Sequence, residues 1–135
     1  MNVVLVEDDD VDAMTVERAF SRLSAQVCTF RAKNGVDALL LLRSDKVDHP
    51  HVILLDLNMP KMNGLEFLQA LRADSALRHE IVFVLTTSRN KKDVDACYAL
   101  NVAGYFTKEQ WVDASLGLPE WLVAYWKNNV FCKGQ

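Results

Sequence analysis

Three short segments dominated by Val, Ile and Leu constrain the fold of this chain more than any other feature. They read NVVLV at residues 2–6, HVILLDL at 51–57 and IVFVLTT at 81–87. A strand without polar alternation has both faces buried, which occurs in parallel sheets covered by helices on both sides. Two weaker segments, QVCTFRA at 26–32 and VAGYFT at 102–107, bring the number of predicted strands to five.

The segments between these strands have apolar residues at helical spacing. They predict helices at residues 10–24, 34–45, 63–74 and 90–101, and a fifth in the tail from about 109 to 131. In the first helix, Asp12 falls on the face that we expect to point to water. Because strand and helix alternate, the sequence predicts an α/β fold, a doubly wound five-stranded parallel sheet with helices on both faces.

Length and charge narrow the class of protein. The 135 residues fit a single domain, which we expect to span residues 1–135. The formal net charge is -3 and the Lys and Arg residues are scattered, so we expect no nucleic-acid partner. Neither a signal peptide nor an apolar run near the roughly 18 residues of a membrane span occurs, so we expect a cytoplasmic protein without a membrane partner.

The cysteines and histidines form no recognisable metal motif. The three cysteines lie far apart and include no C-x-x-C pair, which predicts neither disulfide bonds nor a zinc site. We interpret His49 and His51 as loop histidines that flank Pro50, because no cysteine or further histidine lies near them in the sequence.

Polar and charged residues follow four of the predicted strands, at the edge where open α/β sheets bind ligands. They are Glu7, Asp8, Asp9, Asp10, Asp56, Thr86, Thr87 and Lys108. We expect Asp9 or Asp10 to cap the first helix. The other carboxylates repel one another unless they bind protons or a cation. Their oxygen ligands favour Mg²⁺, with Mn²⁺ as the alternative, over zinc.

The loop after the third predicted strand reads LLDLNMPKMNG at residues 54–64. A carboxylate beside Mg²⁺ can act as a nucleophile toward phosphorus, because the metal offsets charge on the incoming phosphoryl group. Pro60 cannot continue a strand, and Gly64 permits close approach of the backbone. We therefore expect the loop to fold back over the site, with the main-chain carbonyl of Asn58 facing the cation.

Four motifs resemble those of one family. VLVEDD, LLDLNMPKMNG, VLTT and GYFTK resemble the acidic pair, phospho-acceptor loop, switch threonine and lysine of receiver domains, the response regulators of two-component signalling. The resemblance covers about the first 108 residues, and AKNGVDALLLL resembles the family's passage from second strand to second helix. It implies a flavodoxin-like receiver fold and a phosphoprotein that accepts a phosphoryl group on Asp56 from a phosphohistidine of a sensor histidine kinase.

The resemblance also implies a role for each site residue. The Mg²⁺ ligands would be Asp8, Asp56 and the backbone carbonyl of Asn58, assisted by Glu7. Lys108 and Thr86 would contact the phosphoryl group, and Tyr105 would rotate as Thr86 moves, giving a two-state switch. Such a protein catalyses only its own phosphorylation and dephosphorylation, so we expect no enzymatic turnover of other substrates.

Two residues depart from the family pattern. Glu109 stands where proline usually follows the lysine, commonly through a cis bond, and a non-proline cis bond costs about 2.5 to 4 kcal/mol. We therefore expect the loop after Lys108 to be trans, shifted or more mobile. Thr87 is bulkier than the residue usual at its position, and we predict that it slows the attack of water on the phosphorylated aspartate.

Residues 109–135 form an aromatic-rich helical segment after the receiver motifs. Its apolar patch comprises Trp121, Leu122, Tyr125 and Trp126, extended by Val123, Val130 and Phe131. Two interpretations stay open, an aromatic core helix or a surface for self-association, and we predict a homodimer through this region. A break near Gly117 and Pro119 would allow the last helix to leave its own domain.

No DNA-binding or catalytic motif follows the receiver motifs, so we expect a stand-alone regulator that signals through protein contacts. The sequence LTTS, with this layout, resembles regulators that serve bacterial phytochrome kinases. A small phosphatase of the haloacid-dehalogenase type is one alternative, but that family requires a second acid where this chain has Asn58. A receiver-like binding module that works without phosphorylation is the other, with Glu109 as the sign of drift.

Overall fold

The computed structural model describes residues 1–23 and 26–132. Within that part of the chain it contains one sheet of five parallel strands in the order β2-β1-β3-β4-β5. The strands are β1 (Asn2–Val6), β2 (Cys28–Ala32), β3 (His51–Leu55), β4 (Ile81–Thr86) and β5 (Gly104–Thr107). The predicted α/β fold is confirmed, and each strand lies inside the segment predicted for it.

Helices connect the strands and cover both faces of the sheet. The described residues form α1 (Asp10–Ser21), α2 (Gly35–Arg43), α3 (Gly64–Ala73), α4 (Lys91–Ala99), α5 (Lys108–Val112) and α6 (Leu118–Asn128). Residue 24, which the first predicted helix included, lies outside the described residues. None of these helices is long and apolar enough to span a membrane.

Side-chain caps explain where the first four helices begin. Asp9, Asn34, Asn63 and Asn90 each accept a hydrogen bond from a backbone N–H of the first helical turn. Each bond satisfies a donor that has no partner within the helix. Asp9 is thus the capping residue of the two aspartates that the sequence offered.

Two apolar cores lie on the two faces of the sheet. Val4 and Ile53 belong to the core formed with α2, α3 and α4, whereas Val3 and Val52 belong to the core formed with α1, α5 and α6. Neighbouring residues of a strand point to opposite faces, and all four of these side chains are fully buried. Burial on both faces is the reason that the strands lack polar alternation.

The tail forms two helices rather than the single predicted one. Thr107 and Gln110 form a capping box that starts α5, and Asp113 ends this helix in an extended conformation. Gly117 then adopts a φ of 61°, a left-handed conformation that glycine tolerates best. Pro119 follows in the first turn of α6, a favoured position for proline. The predicted break is therefore present.

Helix α6 packs on its own sheet after this break. Leu122 and Val123 are buried, and the Phe83 ring of β4 meets Trp121 and Tyr125 edge-on with ring centroids 5.9 and 5.2 Å apart. The departure of the last helix from its domain, which the break would allow, is thus not observed. Residues 133–135, the end of the predicted aromatic-rich segment, lie outside the described residues.

Candidate functional site

Glu7, Asp8 and Asp56 lie where β1 and β3 end, at the carboxyl edge of the sheet. These strands pair in register, and the ladder extends one step further. The Glu7 N–H donates to the Ala32 carbonyl at 2.9 Å, and the Asp56 N–H donates to the Val6 carbonyl at 3.0 Å. Because β1 lies between β2 and β3, the strand order reverses here, which is where open α/β sheets bind ligands.

The three carboxylates are close enough to share one cation. One oxygen of each lies within 4.8 Å of the chosen oxygens of the other two. Glu7 and Asp56 are buried, Asp8 is exposed, and Oδ1 of Asp56 is buried without a hydrogen-bond partner among the described residues. Mg²⁺ and Mn²⁺ prefer oxygen ligands, and Mg²⁺ keeps several of its waters. A carboxylate set with one open side therefore fits such an ion.

Lys108 places its ammonium group among these carboxylates. Its Nζ lies 2.7 Å from Glu7 Oε1, 2.6 Å from Asp12 Oδ2 and 3.6 Å from Asp56 Oδ2. Burial lowers the pKa of Lys108, but hydrogen bonds to Asp12 and Glu7 outweigh this effect and hold the pKa above its usual value. The lysine therefore remains a positive charge at the mouth of the site.

The pKa of Glu7 lies above that of an ordinary surface carboxylate. Burial raises the pKa of Glu7 to about 7, partly offset by the hydrogen bond to Lys108 and reinforced by the charge of Asp56. A divalent cation would favour the ionised form by adding positive charge. Positive charge at this edge of the sheet therefore stabilises the buried carboxylates of Glu7 and Asp56.

Asp12 is the site residue that the sequence analysis missed. The helical periodicity predicted that Asp12 points to water. In the structure its carboxylate forms the shortest of the three contacts with Lys108. Asp12 lies in the first turn of α1, which begins directly after the Asp9 cap. A side chain at this position can be half-exposed and still reach the edge of the sheet. An acid in the first turn of the helix that follows an acidic strand end was the available signal.

The peptide bond after Lys108 is trans. Among the described residues the cis bond is His49–Pro50. Lys108 is the first residue of α5, directly after the Thr107 cap. Glu109, in place of the family's proline, therefore leaves the lysine inside the site, and its own side chain pairs with Arg89 at 2.8 Å.

The loop after Asp56 packs closely against the start of α3. The Gly64 N–H donates to the Leu57 carbonyl at 3.0 Å. A Cβ at Gly64 would lie 2.6 Å from the Asp56 carbonyl oxygen and 2.7 Å from Leu57 Cα, which is closer than any real contact of that kind. Glycine is therefore required for the loop to fold back as predicted. Asn58 is exposed and lines the cleft beside Asp56.

Thr86 and Tyr105 lie on β4 and β5, which are neighbours in the sheet. Thr86 ends β4 and is fully buried, and its hydroxyl has no hydrogen-bond partner among the described residues. Tyr105 is half-buried in β5, and its hydroxyl donates to the Ser88 carbonyl at 2.8 Å. Burial raises the pKa of Tyr105. Thr87, by contrast, is exposed and lines the cleft.

The acidic side chains and Lys108 surround an open cleft of about 270 Å³. It is lined by Glu7, Asp8, Asp9, Asp12, Asp56, Asn58, Thr87 and Lys108. The structure thus brings Glu7, Asp8, Asp9, Asp56 and Lys108 to one mouth, whereas Asp10, Thr86 and Tyr105 lie outside its lining. A buried carboxylate with an unpartnered oxygen, a fixed ammonium group and carboxylates suited to a divalent cation form an arrangement that can accept a phosphoryl group.

Comparison with known proteins gives a consistent result. Residues 3–114 match the family model of the response regulator receiver domain. The response regulator Rcp1 of Synechocystis sp. is 30% identical over 132 residues, which cover 95% of this chain and 90% of that protein.

Solved structures show the same fold over nearly the whole chain. The Mn²⁺-bound form of Rcp1 has a TM-score of 0.81 at 30% identity and covers 96% of both chains. The phosphorylated cyanobacterial phytochrome response regulator RcpA has a TM-score of 0.81 at 28% identity, covering 96% of this chain and 95% of that chain. The bacteriophytochrome response regulator AtBRR has a TM-score of 0.76 at 28% identity, with 98% and 96% covered.

Proposed function

This chain belongs to the response regulator receiver family of two-component signalling, and we propose that Asp56 accepts a phosphoryl group from a sensor histidine kinase in a Mg²⁺-dependent reaction. One observation carries the proposal. Oδ1 of Asp56 is buried and unpartnered among the described residues, while Oδ2 lies 3.6 Å from the Lys108 ammonium. The acceptor thus has a free oxygen beside a positive charge.

The metal ligands in this proposal come from the ends of β1 and β3. Glu7, Asp8 and Asp56 would hold Mg²⁺ with the backbone carbonyl of Asn58, and Mn²⁺ is the alternative ion. The solved structure of the relative Rcp1 is of an Mn²⁺-bound form, and the oxygen-only donor set here fits such an ion. The bound cation would offset charge on the incoming phosphoryl group.

The side chains of the site would carry out the transfer in one displacement. Oδ1 of Asp56 forms an O–P bond as the P–N bond to the kinase histidine breaks, and the electron pair of that bond leaves on the histidine nitrogen. Lys108 then turns from Glu7 and Asp12 to pair with a phosphoryl oxygen. The buried hydroxyl of Thr86 donates to another.

The same movement would switch the surface. When Thr86 turns toward the phosphoryl group, it leaves space beside β5 that the Tyr105 ring can enter. This rotation would break the hydrogen bond that the Tyr105 hydroxyl now donates to the Ser88 carbonyl. A local charge change would thereby bias a two-state element on the surface that contacts the output partner.

The relatives support a more specific set of partners. RcpA and AtBRR are described as phytochrome and bacteriophytochrome response regulators, which favours a bacterial phytochrome kinase as the donor. We propose that the chain receives the phosphoryl group in the cytoplasm and acts as a homodimer through its C-terminal region. Phosphotransfer from a purified phytochrome kinase, faster than from unrelated histidine kinases, is the expected result for this donor.

Intact mass after incubation with acetyl phosphate tests the central proposal. We expect a single phosphoryl adduct on the wild type with Mg²⁺, and none without the metal or in Asp56→Asn. Asp10→Asn is the matched control, because it removes an exposed carboxylate that pairs with Arg31 rather than with the cleft. An adduct that persists in Asp56→Asn would refute the assignment. No adduct on folded wild type, from acetyl phosphate or a cognate kinase, would favour a phosphorylation-independent binding module.

A further inference from the structure

A second cluster of potential metal ligands lies at the opposite edge of the sheet from the acidic cleft. His51 is buried as the first residue of β3, so its interpretation as a loop histidine was wrong. Glu80 directly precedes β4. These strands are paired so that Val52 lies opposite Ile81, which brings the preceding His51 and Glu80 together. His49 stacks on His51 with ring centroids 4.4 Å apart and an interplanar angle of 29°.

The buried atoms of this cluster lack proper hydrogen bonds. His51 and Glu80 are only 2% and 3% exposed. Nε2 of His51 lies 2.6 Å from Oε2 of Glu80, yet the two groups lack the alignment of a hydrogen bond. Nδ1 and Nε2 of His51 and Oε2 of Glu80 are all buried without a hydrogen-bond partner among the described residues. Such groups are costly to bury unless something binds them.

We propose that His49, His51 and Glu80 form a binding site for a transition-metal ion, with Zn²⁺ as the best candidate. One ligand atom from each side chain lies within 4.8 Å of those of the other two. Two imidazoles and a carboxylate, with a water as fourth ligand, form a common tetrahedral zinc set. Imidazole nitrogen also suits Zn²⁺, Ni²⁺ and Cu²⁺ far better than Mg²⁺. The two edges of the sheet would then select different metals.

Binding requires the exposed ring of His49 to turn out of its stack on His51, so that a nitrogen of each ring points to the ion. Ligand bonds of about 2.0 to 2.2 Å at tetrahedral angles place ligand atoms roughly 3.3 Å apart. Nε2 of His51 and Oε2 of Glu80, now 2.6 Å apart, must therefore separate slightly. His49 is exposed, so its ring provides a route by which an ion can reach the buried pair.

Zinc titration of the whole chain tests the proposal. The protein is freed of metal with a chelator, and saturating Mg²⁺ is added to fill the acidic cleft. Competition with a chromophoric zinc indicator then gives affinity and stoichiometry. We expect one Zn²⁺ per chain, bound at least about tenfold more weakly in His49→Ala and in Glu80→Gln. His49→Ala alters an exposed side chain, so loss of folding does not obscure the result.

Two control variants and a spectrum separate this site from other ligands. His79→Gln removes the third histidine of the chain, and Asp56→Asn alters the acidic cleft; both should bind zinc as the wild type does. Co²⁺ in place of Zn²⁺ should give the visible spectrum of nitrogen and oxygen ligands, without the thiolate charge-transfer band that Cys28 or Cys132 would produce. Absence of zinc binding by the wild type, equal binding by His49→Ala, or a thiolate band would overturn the proposal.

Discussion

At the scale of single residues, Lys108 is held by two carboxylates that lie closer to it than the proposed phospho-acceptor does. Its Nζ is 2.6 Å from Asp12 and 2.7 Å from Glu7, but 3.6 Å from Asp56. Asp12 is half-exposed and lies outside the proposed metal ligands. It is therefore the contact that can be removed without altering the proposed chemistry, and it sets how readily the ammonium turns toward a phosphoryl group.

Asp12→Asn should accelerate phosphorylation by acetyl phosphate several-fold. The substitution weakens a charge-assisted hydrogen bond that competes for Lys108, and a change of about 1 kcal/mol corresponds to roughly a fivefold change in rate. The initial rate of adduct formation by intact mass measures the effect. Asp10→Asn, which removes an acid from the same helix, should leave the rate unchanged. A rate for Asp12→Asn equal to or below that of the wild type would contradict this role.

Thr87→Ala should shorten the phosphorylated lifetime several-fold. Thr87 is exposed at the rim of the cleft beside Asp56 and Lys108, so its side chain occupies space through which water must approach. Loss of the adduct is followed by intact mass after the phosphodonor is removed. Thr87→Val keeps the bulk without the hydroxyl and should retain the slow rate. An unchanged rate in Thr87→Ala would show that another group shields the site.

Cys97 should resist alkylation in the folded protein. It is buried in the core, and burial raises the pKa of its thiol to about 11. Since the thiolate is the reactive form, little of it exists below that pH. Iodoacetamide at pH 8 should add two groups to the native chain, at the exposed Cys28 and Cys132, and three after denaturation. Three groups on the native chain would indicate that α4 opens readily.

At the scale of elements, the apolar runs and the helical spacing of apolar residues predicted where most strands and helices lie. The strand ends also predicted the carboxylates and the lysine of the cleft, because parallel strands bring their carboxyl ends to one edge. Side-chain direction within a first helical turn could not be predicted from periodicity, and Asp12 was missed for that reason. The meeting of Glu80 with His51 depends on the pairing of β3 with β4, which no local pattern contains.

Gly64→Ala should destabilise the fold and impair the site together. The new Cβ would lie 2.6 Å from the Asp56 carbonyl oxygen, so the loop or α3 must shift, at a cost of about 1 to 3 kcal/mol. Urea denaturation measures the free energy of unfolding. The rate of adduct formation with acetyl phosphate, followed by intact mass, measures phosphorylation of Asp56.

Gly117→Ala is the matched control for this change. Its φ of 61° makes alanine unfavourable there as well, but the nearest atom to a new Cβ is the flexible Glu120 carboxylate at 3.4 Å. We expect a loss of roughly 1 kcal/mol from the left-handed backbone with normal phosphorylation. Equal phosphorylation rates in the two glycine variants would contradict a role of Gly64 in shaping the acceptor loop.

At the scale of the whole molecule, the tail leaves apolar surface that its own sheet does not cover. Trp121 is 46% exposed although its ring contacts Phe83, and Val130 is 94% exposed. Leu122 and Val123 of the same helix are buried. The core interpretation therefore holds for one part of the tail, and self-association stays a prediction for the other. One side of α6 is core. The outer side of the tail has the exposed Trp121, an aromatic residue of the kind enriched in interfaces, and Val130, which follows the end of the helix at Asn128.

If this outer side joins two copies, Val130→Asp should weaken the dimer by at least about tenfold, because a carboxylate in an apolar contact costs more than 1 kcal/mol. Val130 is almost fully exposed in the single chain, so the folded monomer should keep its stability and its phosphorylation. Sedimentation equilibrium over a wide concentration range measures the dissociation constant. Leu40→Asp alters a side chain of α2 that is 62% exposed on the other face of the sheet, and it should leave the constant unchanged. A wild type that is monomeric at every workable concentration, or equal effects of the two substitutions, would contradict a dimer through the outer side of the tail.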